Sequence, residues 1–308
     1  MAETMTFTQR IARGWLRLHG RMPLWYHRAW SKVIAWFVRC VVKYRTDVVT
    51  ENLTSSFPEK SPEEIRAIHK QFYKHFADII TEALWFGSCN GPKGRKRLKD
   101  SHIVEITNPE ELNRLFRDRK QVMIMQSHAG NWELIGGILN YTYTEPLLIG
   151  TDTFAITYLP VHDHFWDSFM GENRQAPVAD MDFNGYVASQ QVARVVFTNR
   201  DKHFCYSFIT DQFPYGPNRK YSVRFMNRDT VIMPGAATVA ARMDMAVVYL
   251  SFQCRPEGGY RMTFVPITEH AGSMEPLEIT RKYFNLLEED IKAQPWNYLW
   301  THRRWKCQ

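Results

Sequence analysis

In the stretch QSHAGNWELIGG, residues 126–137, a histidine and a glutamate, His128 and Glu133, follow an apolar run. Within one α-helix, residues at this spacing point about 140° apart around the axis, so a single helix does not bring the two side chains together. If a strand ends near residue 126 and a helix begins about residue 131, with Asn131 as N-cap, His128 falls in the turn and Glu133 in the first helical turn, and they can meet. A carboxylate that accepts the proton on one imidazole nitrogen fixes the tautomer, leaves the other nitrogen basic and stabilises the imidazolium. This is a base with its orienting acid and no protein nucleophile, since the chain has no G-x-S-x-G and no cysteine beside the pair. The hydroxyl to be activated would belong to a substrate, and the chemistry would be direct acyl transfer from an activated carbonyl. Backbone N–H groups near residues 130–133 and the positive helix end would serve an oxyanion or a phosphate. The apolar helix that follows, with Gly136 and Gly137, would wall an acyl chain.

Apolar runs at 122–126, 147–151, 203–210, 246–252 and 261–267 read as strands of a largely covered sheet. Helices are expected near 132–143, 157–170, 185–199, 235–244 and 276–293. Upstream, Ser61-Pro62-Glu63-Glu64 carries an N-cap, a proline at the first helical position and a capping-box glutamate, which starts a helix running to about Trp85. Asn108-Pro109-Glu110-Glu111 starts another by the same logic, and the basic stretch GPKGRKRLKD from Gly91 reads as a loop. The class is α/β, with a mostly parallel or mixed central sheet covered by helices and preceded by a helical N-terminal segment at a membrane surface.

That segment is set apart by charge. Residues 1–45 hold nine Lys or Arg against one acid, Glu3, interleaved with Trp15, Trp25, Trp30 and Trp36. The apolar stretch 33–42 is broken by Arg39 and falls far short of the roughly 20 residues that span a bilayer. Cations mixed with tryptophan suit an amphipathic helix lying in the headgroups of an anionic membrane; the same pattern also fits a packed helix with a solvated basic face. Nucleic acid is not expected, because the arginines form no known reading motif. Five cysteines, an odd and widely spaced set without C-x-x-C, argue against both a disulfide framework and a thiolate metal site.

HAGNWE resembles the H-x-x-x-x-[DE] block of the lysophospholipid acyltransferase superfamily, in particular the bacterial lipid A lauroyl and myristoyl transferases. YRTDVVTENLTSSFPEKSPEE (44–64), TDQFP (210–214), PGAATVAARMDMAVVYL (234–250) and WNYLWTHRRWK (296–306) resemble further blocks in the same order. The resemblance implies His128 as general base and Glu133 as its charge partner, with Asn131, Arg174, Asp211 and Arg242 on the substrate side. It implies a membrane-associating segment over 1–45 and an acyltransferase domain over 46–308. The donor would be an acyl carrier protein or coenzyme A thioester, the acceptor a hydroxyl of a lipid A precursor or related membrane lipid, with no cofactor or metal. The place would be the cytoplasmic face of the bacterial inner membrane. The alternatives are a non-catalytic lipid-binding protein of the same fold and a thioesterase. His302, Arg303 and Arg304 would contact phosphate or membrane, or anchor the chain end.

Overall fold

The computed structural model describes residues 6–160, 163–214 and 220–305. Its helical N-terminal part comprises α1 (Phe7–Gly20), α2 (Leu24–Trp36), a π-helical turn (Phe37–Val41), α3 (Thr46–Ser56) and the long α4 (Pro62–Phe86). Helix α4 begins as its sequence dictates: Ser61 Oγ accepts from the Glu64 amide and the Glu64 carboxylate accepts from the Ser61 amide. Helix α5 (Gly91–Asp100) follows, then β1 (Val104–Ile106), α6 (Pro109–Asp118), β2 (Gln121–Gln126) and a 3-10 helix (Trp132–Asn140). The chain continues through β3 (Phe154–Tyr158), α7 (His164–Gln175), β4 (Tyr186–Ala188), α8 (Val192–Thr198) and β5 (Phe204–Ile209). Strands β6 (Tyr221–Phe225) and β7 (Arg228–Ile232) lead to α9 (Gly235–Arg242), β8 (Ala246–Cys254), β9 (Tyr260–Thr268) and α10 (Pro276–Ala293).

Seven strands form one mixed sheet in the order β1-β9-β8-β2-β5-β3-β4, and β6 and β7 pair apart from it as an antiparallel hairpin. Every pairing in the large sheet is parallel except β8 with β9. Strand β2 is buried along its whole length, as a central strand covered on both faces must be. One face carries Met123, Met125 and Tyr249 into a core with α3, the start of α4 and α8–α10; the other carries Ile124 and Val248 into a core with Trp85, Leu98 and Leu134.

Several expected elements differ. Residues 91–100 are a helix, because Leu98 and Gly94 are buried while the charges line the outer side, Arg95 paired with Asp180 and Arg97 lying 5.0 Å from the centre of the Trp85 ring. The third strand is residues 154–158 rather than 147–151, since Leu148 N and Pro146 O are claimed by the Asn113 side chain before a turn at Gly150–Thr153. Helix α7 accordingly starts later than expected, and the helix expected at 185–199 is split into β4, a short 3-10 turn and α8. Asn108 precedes α6 without capping it, because its amide instead exchanges two hydrogen bonds with the Phe264 backbone. The hairpin β6–β7 was not expected at all.

Among the described residues, no helix is long and apolar enough to cross a membrane. Helix α2 packs along α4 with His27 and Ser31 buried, so residues 7–41 are built onto the rest of the protein. Gly20 allows α1 to touch α4: a Cβ there would meet the Leu84 carbonyl at 2.7 Å. The outward side of α1 is apolar, with Phe7, Ile11, Trp15 and Leu18 all more than half exposed, and it continues into exposed Trp25, Trp36 and Val41.

Candidate active site

His128 sits at the carboxyl edge of the sheet, in the link between β2 and the 3-10 helix. This edge of an open α/β sheet is the one at which ligand sites form. Gly130 makes the link possible: its φ of +65° is in the left-handed region, and a Cβ there would collide with the Phe252 ring. Asn297 fixes the turn by accepting from Gly130 N at 3.0 Å and donating to Phe252 O, while Ala129 bridges to Tyr298.

The His128 imidazole is held at both nitrogens. Nδ1 lies 2.8 Å from Asp211 Oδ1, and Nε2 lies 3.0 Å from Gln212 Nε2. An ionised carboxylate only accepts and an amide NH2 only donates, so this pair of partners selects the neutral tautomer with its proton on Nδ1 and its lone pair on Nε2. Asp211 is almost fully buried. Burial opposes its charge, but the charge that His128 carries when protonated, its hydrogen bond and backbone donors outweigh burial and hold the carboxyl below the usual carboxylate range. The Trp132 ring stands edge-on to the imidazole, 5.0 Å between centroids.

The partner of His128 is therefore Asp211, at the end of β5, rather than Glu133. The 3-10 winding after Asn131 turns Glu133 toward α7, where Arg174 grips it in a two-pronged ion pair, Nε to Oε2 at 2.6 Å and Nη2 to Oε1 at 2.8 Å. Arg174 is desolvated, but Glu133 more than compensates and its guanidinium pKa is raised. Trp132 Nε1 also donates to Glu133 at 3.1 Å, so the ring beside His128 and the Glu133–Arg174 pair are mechanically joined.

Asn131 is fully buried; its Nδ2 donates to Glu82 Oε2 at 3.0 Å and its side chain caps no helix. Gly130 N is occupied by Asn297, so this amide of the expected oxyanion group is already committed. Arg242 lies elsewhere: it is exposed at the end of α9, just before Asp244, which Arg119 grips at 2.5 Å where β2 and β8 begin, the opposite edge of the sheet from His128. The apolar residues Leu134, Ile135 and Ile138 are buried in the core against α4 and α5, and a Cβ on Gly136 or Gly137 would strike Arg174 O or Tyr141 Oη respectively, so these glycines serve packing. At the chain end, Arg45 and Asn52 donate to the carbonyls of Thr301, Trp300 and His302, and Arg304 is buried, so this block anchors the fold. Gln212, Trp132, Asn297 and Glu82 were not among the expected site residues, although Gln212 stands beside Asp211 in the TDQFP block and Asn297 opens WNYLW.

A histidine whose Nδ1 meets a nearly fully buried aspartate thus sits at the carboxyl edge of a mixed α/β sheet. The sequence profile of the bacterial lipid A biosynthesis acyltransferase family matches residues 3–156 and 198–307, and the chain belongs to that family of O-acyltransferases. It is 23% identical over 279 residues to the lipid A biosynthesis palmitoleoyltransferase of Escherichia coli strain K12, covering 88% of this chain and 81% of that protein. The lipid A biosynthesis acyltransferase of Shigella flexneri is similar to the same extent. Both His128 and Asp211 fall inside the matched segments, whereas Arg174 falls between them.

Proposed function

We propose that this protein transfers a fatty acyl group from a thioester, carried by acyl carrier protein or coenzyme A, to a hydroxyl of a lipid A precursor or related membrane lipid. The observation that carries the reading is the His128 imidazole, fixed by Asp211 at Nδ1, with Nε2 facing the Gln212 amide. An acceptor hydroxyl displaces Gln212 and gives its proton to Nε2 as its oxygen attacks the thioester carbonyl. The tetrahedral intermediate expels the thiolate, which takes that proton from the imidazolium, leaving an ester and a free thiol. Asp211 stabilises the imidazolium throughout, and Glu133 with Arg174 braces Trp132 beside the ring. No covalent acyl-enzyme forms and no cofactor is required.

The reaction takes place at the cytoplasmic face of the bacterial inner membrane, to which the exposed apolar stripe of α1 and the arginines beside it attach the protein peripherally. A basic surface also favours encounter with an acidic carrier protein. The test is turnover with each thioester, with and without lipid acceptor, in the parent protein and in His128→Ala. Ester formation reduced roughly 100-fold or more in a folded variant supports the reading, since positioned bases typically contribute 10² to 10⁴. Unchanged turnover, or thioester cleavage that ignores the acceptor, refutes it, the latter in favour of a thioesterase.

A further inference from the structure

Arg304 is 1% exposed, and none of its three guanidinium nitrogens meets a hydrogen-bond acceptor among the described residues. The segment that carries it is clamped on both sides. Arg45 and Asn52 hold the carbonyls of Trp300, Thr301 and His302, while Trp305 Nε1 donates to Thr230 Oγ1 at 2.8 Å and the Trp305 ring stacks on Phe225. Its neighbour Arg303 stays exposed. The fold thus takes one particular cation out of water and gives it no hydrogen bond, which is strongly unfavourable unless another charge offsets it.

The surroundings supply that charge. Arg304 lies over the Phe284 ring of α10, 5.9 Å from its centre, and interacts electrostatically with Tyr298, Asp211 and Tyr283. Burial pushes both phenols well above their ordinary range, and it does the same to Tyr249 of β8, which also acts on Asp211. All three are therefore uncharged at neutral pH, and Asp211 is left as the anion facing Arg304. The tyrosines place this cluster beneath the link that carries His128: Tyr283 Oη donates to Gln126 O at 2.9 Å, and Tyr298 bridges to Ala129, on either side of the histidine.

The charges then balance. With His128 neutral, Asp211 and Arg304 sum to zero in a buried site. Without Arg304, a lone buried carboxylate would draw a proton onto the imidazole before any substrate arrived, and an imidazolium cannot act as a base. We propose that Arg304 is a positioning residue whose buried charge neutralises Asp211, so that the His128 imidazole waits in its neutral, proton-accepting form. The proposal rests on the acyl-transfer reading above and adds the group that sets the resting charge of its dyad.

The test compares Arg304→Met and Arg304→Lys in the full-length protein, by the pH profile of kcat/KM for ester formation and by urea unfolding. Arg304→Met should move the acid limb of the profile to higher pH by about one unit, roughly a tenfold loss of kcat/KM below the limb. In Arg304→Lys, which keeps the charge, the limb should stay in place. A limb unmoved in Arg304→Met, or moved as far in Arg304→Lys, overturns the proposal and leaves Arg304 as core packing. Unfolding gives a readout that needs no turnover: Arg304→Met should destabilise the parent more than it destabilises Asp211→Asn, where no carboxylate is left stranded. Equal effects in the two backgrounds overturn the pairing. If Arg304→Met alone does not fold, Arg304→Met combined with Asp211→Asn should, and failure of both to fold overturns the proposal likewise. Failure of the acyl-transfer reading is distinct: it would appear as normal ester formation by His128→Ala, with the stability coupling between Arg304 and Asp211 intact.

Discussion

His128 Nδ1 and Asp211 Oδ1 lie 2.8 Å apart although 83 residues separate them in the chain, and Glu133, five residues from His128, pairs with Arg174. If His128 is the base proposed above, its orientation belongs to Asp211, and the two carboxylates should have separable effects. Asp211→Asn leaves a neutral amide that cannot stabilise the imidazolium, and kcat should fall by roughly 10² or more. Glu133→Gln keeps the Asp211 contact and should cost less, with the pH profile of kcat unmoved. Steady-state kinetics across pH for both variants decide the assignment; equal losses with equal profile changes would return Glu133 to the role of partner.

Stability should carry the same signature. The Asp211 carboxyl is held below its ordinary range in the folded state, so its contribution is complete above about pH 4 and is lost as pH falls through the folded value. Asp211→Asn should therefore be less stable than the parent at neutral pH, and chemical denaturation should show the difference shrinking only in acid. Glu82 has the opposite sign. Its carboxyl is raised to about 7 in the folded state, so stability is greatest below the ordinary carboxylate value and declines as pH rises toward 7. Glu82→Gln should remove that decline, worth on the order of 3 kcal/mol between pH 4 and pH 8.

The Glu133–Arg174 pair is largely desolvated and two-pronged, so removing one partner strands the other. Arg174→Met should destabilise by about 3 kcal/mol or more, while Glu133→Leu with Arg174→Met should recover much of that loss. Thermal and urea unfolding of the two single variants and the double variant measure the coupling; additive losses would mean that the pair is energetically slack.

Gly136 meets Arg174 O and Tyr186 Oη at its missing Cβ. Gly136→Ala should cost about 1 to 3 kcal/mol through displacement of α7, and should lower the melting temperature without altering acyl chain-length preference. A ladder of thioester donors assayed beside a melting curve checks both halves of that statement.

Helix α1 presents Phe7, Ile11, Trp15 and Leu18 outward, and Arg13 and Arg17 on its flank bind Glu172 of α7. Trp15→Ala with Leu18→Ala should weaken vesicle binding at every salt concentration, whereas Arg10→Gln with Arg21→Gln, cations outside that pair, should weaken it mainly at low salt, by about 1 kcal/mol per charge. Cosedimentation with anionic vesicles over a salt series separates the two effects, and no binding by the parent protein would remove the membrane assignment.

The parts of the fold visible in the sequence were those with a strong local pattern. The capping box at Ser61, the continuously apolar β2 and the long amphipathic α10 each state their own structure over a few turns or one strand. Strand β3 was misplaced because LLIG and FAIT are adjacent short apolar runs, and only pairing with Cys205 to Ser207 distinguishes them. The β6–β7 hairpin was hidden because its turn uses Met226 and Asn227 at positive φ, without the glycine that ordinarily announces such a turn. His128 and Asp211 could each be singled out along the chain, but their contact could not: it is made by strand order, β2 beside β5, and no local period encodes strand order. Glu133 was favoured by proximity along the chain, which the 3-10 winding then defeated.

The turn around His128 is closed by three distant pieces of chain, Asp211 with Gln212 after β5, Asn297 near the carboxyl terminus, and Glu82 from α4. Loops of that size close late in folding, because their entropy must be met before any contact rewards it. A nascent chain released before residue 297 has His128 but not the clamp on Gly130. Recovery of activity after dilution from denaturant should consequently track the slowest of these closures and lag the return of helical signal.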